Sequence, residues 1–154
     1  MATTDEIKEQ MGEDWLPEIY DKKIRSLRTR SVTLEIPEKE NPAEIMHTLL
    51  GIELKVGRQR FACPDLATAR FMRVFARIGC REFAIPYDIT KISMLADQLE
   101  TAWQKSLLLA SNGSEATVKR NRSQLLKEVR AEVADIGPGE RMPEFKQSTK
   151  QRTS

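Results

Sequence analysis

Arg70, Arg73 and Arg77 stand at i, i+3 and i+7, a spacing that sets three guanidinium groups along one side of a helix. Arg58 and Arg60 precede them, in and beside a Gly57-Arg58 turn. A guanidinium presents five donors in a planar fork and fits phosphate and carboxylate oxygens better than an ammonium does. The cluster is therefore suited to holding an anion. A second basic run, Lys119, Arg120 and Arg122, opens a helical pattern. Positive charge there opposes the helix dipole, so the placement calls for a reason outside the helix. The competing reading is a solvated face, or arginines paired with the acidic N-terminal stretch and with Glu35, Glu53 and Glu82.

Covalent and metal chemistry have less support. The one histidine, His47, has no second ligand and no cysteine or serine partner near it in sequence, which excludes a His-rich metal site. Cys63 and Cys80 lack accompanying ligands at metal-binding spacing. The seven glycines are scattered singly, so no phosphate-cradling or dinucleotide-binding loop follows a strand. Paired carboxylates such as Glu13 with Asp14 and Glu38 with Glu40 fall in loop or cap contexts. The chain reads as non-enzymatic, with no cofactor and no metal.

The elements that must carry these residues follow from pattern. A composition 40% hydrophobic over 154 residues supports one domain with a core of its own. The net charge of +2 hides segregation, with residues 1–20 and 31–54 acidic and residues 55–81 strongly basic. Residues 1–13 lack a sustained apolar period and are expected to be a flexible acidic start. Trp15, Leu16, Ile19, Tyr20, Ile24 and Leu27 predict an amphipathic helix over 15–28. Val32, Leu34 and Ile36 alternate as a strand, and Ile45, Met46, Leu49 and Leu50 behind Asn41-Pro42 predict a short helix closing at Gly51. Two strands then meet at the Gly57-Arg58 turn. Asp65 caps a helix that carries the arginine stripe and ends at Gly79, and Phe83 and Ile85 mark a fourth strand.

The order over 14–87 is an N-terminal helix plus a βαββαβ core, giving an α+β fold with a ferredoxin-like split βαβ, four-stranded antiparallel sheet. In that topology Cys63 and Cys80 lie at opposite ends of the sheet, so both are expected as free, mostly buried thiols. Residues 88–136 form an antiparallel helical hairpin, packed on the core or on another chain. Residues 137–154 are expected as a disordered basic tail.

The split βαβ order is shared with the RNA recognition motif, which stacks bases on aromatic side chains of its open sheet face. Here that face would present Thr33, Glu35, Glu53, Lys55, Arg60, Ala62, Glu82 and Ala84, with no aromatic. The run from Arg58 to Cys63 also lacks that family's Gly-aromatic third-strand pattern, so the family is rejected and only the topology kept. With no membrane-length apolar run and no signal peptide, the expectation is a cytoplasmic, non-enzymatic binding or adaptor protein. Its arginine-rich surface would hold an anionic partner, either nucleic acid or an acidic protein. The alternative is an assembly protein forming a homodimer through the helical hairpin.

Overall fold

A computed structural model describes residues 3–35 and 43–138, a mixed α+β arrangement with antiparallel sheets. Helices α1 (Thr4–Met11) and α2 (Leu16–Ile19) come first, separated by a 3-10 turn, and α2 runs into a π-helical turn over Tyr20–Ile24. Strands β1 (Thr29–Thr33), β2 (Glu44–Thr48), β3 (Gly51–Val56) and β4 (Gln59–Cys63) follow, then α3 (Leu66–Ile78) and β5 (Glu82–Pro86). Two long helices, α4 (Ile89–Leu109) and α5 (Glu115–Ile136), complete the described chain.

α3 is the central element, and its sequence explains why. The Asp65 side chain accepts the Thr68 backbone N–H at 2.8 Å, and Gly79 ends the helix in the left-handed region at φ 99°. Between these caps, Phe71, Val74, Phe75 and Ile78 are buried on one side, with Thr68, Ala69, Met72 and Ala76 buried beside them. Apart from the buried Thr68, only the arginine stripe is polar. A helix this apolar around its circumference belongs inside a fold, and α3 lies between the β2–β3–β4 sheet and α4. Phe75 stacks on Phe83 of β5 at 4.5 Å between ring centroids and meets Tyr20 edge-on at 5.6 Å.

The single four-stranded sheet and the ferredoxin-like order do not form among the described residues. β1 pairs only with β5, from Thr29 opposite Pro86 to Thr33 opposite Glu82, while β2, β3 and β4 make a separate three-stranded sheet. Of the helix expected over 42–50, residues 44–48 are instead strand β2 and residues 49–50 a turn, with Ile45 opposite Leu54 and Thr48 opposite Gly51. Five residues are too few to separate a helical period from a strand, and the pairing offered by β3 decides. The second sheet face also differs from expectation. β5 buries Phe83, Ala84, Ile85 and Pro86 alike, because α5 and the π-helical turn cover the side predicted to be open.

The acidic start is corrected as well. Thr3 and Glu6 form a reciprocal capping box that starts α1, and Ile7 and Met11 are buried. The amphipathic helix expected over 15–28 is shorter, begins after Trp15 and ends in the π-helical turn. The N-terminal segment is then tied to α5. Trp15 Nε1 donates to Glu132 at 2.8 Å, and Lys8 pairs with the same carboxylate at 3.0 Å. The Tyr20 hydroxyl donates to the Gly137 carbonyl at 2.6 Å and accepts the Ala84 backbone N–H at 2.8 Å. Residue 137 is therefore anchored, while the expectation of a disordered tail falls from residue 139 onward outside the described residues.

The helical pair from 88 to 136 packs on its own core. α4 lies along α3, and α5 crosses α1, α2 and β5. Leu99 and Leu125 are fully buried, as are Val129 and Val133 to within a percent. The apolar seam offered as a homodimer contact is thus consumed within one chain. Cys63 and Cys80 are both free and buried, and burial pushes the Cys80 thiol up to about 12.

Candidate functional site

Arg70 and Arg73 of the arginine stripe are turned inward, toward α4, while Arg77, one turn further on, remains more exposed. Helical spacing places Asp97 and Glu100 one turn apart on α4, level with Arg70 and Arg73. Arg70 clasps Glu100 with two bonds, Nε to Oε2 at 3.1 Å and Nη2 to Oε1 at 2.5 Å, and also pairs with Asp97. Arg73 reaches the same Glu100 at 3.3 Å. The side chains of Arg70, Arg73 and Glu100 are 25%, 26% and 24% exposed, so these are half-sheltered pairs in which bidentate geometry counts. Arg77 donates its Nε to the Ala43 carbonyl at 3.3 Å, and burial together with the neighbouring Arg73 charge pulls its guanidinium below the usual value. The acids that meet Arg70 and Arg73 are on α4, while the sequence had pointed to the acidic N-terminal stretch and to Glu35, Glu53 and Glu82, of which Glu53 pairs with Arg60.

Electrostatics agree with a structural role. Burial raises the Glu100 carboxyl, but the two guanidiniums outweigh it and hold the group below the ordinary carboxylate range. A carboxylate depressed in the fold stabilises it above the unfolded-chain value, and that stabilisation is lost as pH falls through the depressed value. Glu100→Gln should therefore lower stability by about 1–3 kcal/mol at neutral pH and flatten the acid limb of the stability profile. Thermal melts of both proteins between pH 3 and 7 check this. An unchanged acid limb would mean that Glu100 is merely solvated.

The other candidate cations are scattered. Arg60 pairs with Glu53 at 3.5 Å on the open face of the three-stranded sheet, and Arg58 stands exposed in the β3–β4 turn. At the start of α5 the picture changes. Ser114 caps the helix, and the buried stripe Asn121, Leu125, Val129 and Val133 fixes which side faces inward. Lys119, Arg120 and Arg122 are left exposed, and Lys119 and Arg120 make no ion pair among the described residues. Lys127, also exposed and seven residues after Arg120, extends this basic surface by two turns. It was missed because its one signal was that spacing, in a segment that reads as an ordinary amphipathic helix. The Asn121 amide nitrogen is buried there without a hydrogen-bond partner.

Among the described residues no group of three or more His, Cys, Asp or Glu side chains could hold a metal ion. No helix there is long and apolar enough to cross a membrane. An open groove of about 310 Å³ lies between the N-terminal helices and α4, with Asp14, Lys23, Gln98 and Lys105 on its walls over Ile19 and Ala102. Its mixed charge selects for no one ligand. Compared with known proteins, the chain matches no family model, no curated protein and no solved structure.

Proposed function

We propose that the protein is a non-catalytic binding or adaptor protein that holds an anionic partner, and that the contact surface is the first half of α5. One observation carries this reading. Lys119, Arg120, Arg122 and Lys127 are exposed on a helix whose orientation is fixed by its buried stripe, so they form a basic surface complementary to an anionic partner. The arginine stripe of α3, with Arg70 and Arg73 held by α4, is a structural ion-pair network in this reading, and Arg58 and Arg60 are peripheral to the contact. The two free cysteines fit a reducing, cytoplasmic setting.

Nucleic acid is the anion that tests this most directly. A fluorescent single-stranded RNA should bind with an affinity that falls on a log-log salt plot, with a slope reflecting about three to four phosphate contacts. Lys119→Glu with Arg120→Glu should weaken binding by at least about tenfold and reduce the slope by about two, without moving the melting temperature. Arg58→Glu should leave both unchanged. If binding at low salt is undetectable, or its slope follows Arg58 in place of α5, this surface is not a nucleic-acid contact.

A further inference from the structure

The two edges of the β2–β3–β4 sheet are finished differently. β4 is guarded by Arg58 and Arg60 and stopped by Pro64, and its Gln59 side-chain carbonyl takes the Glu35 backbone N–H at 2.9 Å. β2, Glu44-Ile45-Met46-His47-Thr48, has no lysine, arginine or proline, and among the described residues no strand lies beyond it. The turn at its end displays Leu49 and Leu50, both fully exposed. Charged residues, prolines and bulges are what keep sheet edges from pairing, and β2, whose one charged side chain is Glu44 at its start, leaves its Ile45-Met46 centre as a template for another strand. Nothing in a monomer favours two adjacent leucines in water at a hairpin tip.

We propose that β2 pairs antiparallel with β2 of a second copy, joining two three-stranded sheets into one six-stranded sheet across a twofold axis. The strand's own sequence favours a second copy as occupant. An axis at Met46 sets Met46 against Met46, Ile45 against His47 and Glu44 against Thr48, so the central row is apolar and no like charges face one another. The alternation carries through the sheet. Met46 shares the open face with Glu53 and Ala62, while Ile45 lies on the face of Leu54 and Phe61, so neither face has to reverse its polarity at the junction. The same register brings Leu49 of one copy level with Ala43 of the other, beside α3, where Arg77 holds the Ala43 carbonyl. A twofold contact of this kind closes on itself and does not propagate into a fibre.

The test is sedimentation of the full chain over a concentration series, from about 1 µM to several hundred µM. The 17.6 kDa chain should shift to twice that mass. Met46→Lys and Met46→Glu each place two like charges at the axis and should each remain monomeric where the natural sequence is dimeric. An equimolar mixture of the two should recover the dimer, because opposite charges then meet. Leu49→Ser with Leu50→Ser should weaken the dimer by at least about tenfold while leaving the melting temperature of dilute protein unchanged, since both side chains are already in water. That second variant decides the matter if either Met46 substitution disturbs the strand. A natural sequence that stays monomeric throughout overturns the proposal, even if it captures an unrelated extended peptide. So does a Met46→Lys variant that dimerises undiminished, or a mixture that fails to recover the dimer.

Discussion

Phe75→Ala should lower the free energy of unfolding by about 3–5 kcal/mol. Phe75 is fully buried and, among the described residues, is the one ring in contact with three others, stacked on Phe83, edge-on to Tyr20 and tilted against Phe71 at 5.4 Å. Its removal takes away apolar burial and leaves a cavity walled by three different elements. Aromatic rings held by a helix, a strand and a π-helical turn cannot all collapse into the gap. A domain's whole stability is about 5–15 kcal/mol, so the variant sits near the edge of folding. Urea unfolding of this variant beside Leu108→Ala, whose side chain is exposed on α4, checks the assignment. Equal midpoints for the two would mean that the aromatic cluster is not the centre of the core.

Tyr20→Phe is expected to cost about 2–4 kcal/mol although it removes one oxygen atom. That oxygen serves two backbone groups, accepting from Ala84 in β5 and donating to Gly137 at the end of α5. With phenylalanine in its place both lose their partner, and the Ala84 amide is left buried and unsatisfied. The variant should also change the alkaline limb. Burial pushes the Tyr20 phenol up to about 12, so its neutral form is favoured by folding. Stability from this source is complete below the unfolded-chain value near pH 10 and is lost as pH rises toward about 12. Tyr20→Phe should lack that share of the decline, leaving the share set by Cys80. A profile that keeps its full alkaline slope would place the titration elsewhere.

Where the sequence was legible, a local signal was sufficient. Asp65 caps α3 as expected, and Asp88 and Ser114 cap α4 and α5 in the same way, each accepting a backbone N–H from within the first turn. Gly57 turns β3 into β4, and Phe83 and Ile85 mark β5 as expected. Failures arose where distant contacts decide. Ile45 and Met46 fit either period, and only β3 makes them a strand. Ala84 is small enough for an open or a closed face, and Tyr20 closes it. The Thr3–Glu6 box was visible in the sequence, but two apolar residues amid acids gave no hint that α4 and α5 shelter them. For the candidate site, the arginine spacing correctly implied one stripe, and what the stripe faces could not be read. Asp97 and Glu100 are 27 or 30 residues from their arginines and signalled nothing in the sequence.

The bond from Tyr20 to Gly137, like that from Trp15 to Glu132, spans 117 residues. During synthesis the N-terminal helices emerge long before the segment that completes their burial. At about 5–20 residues per second, the interval is roughly 6–25 s. Throughout it Ile7, Trp15 and Ile19 have no α5 to cover them, and β1 lacks β5 until most of the chain has been made. The fold therefore closes last at its two ends, and a chain halted before residue 137 leaves an apolar N-terminal surface for chaperones to hold.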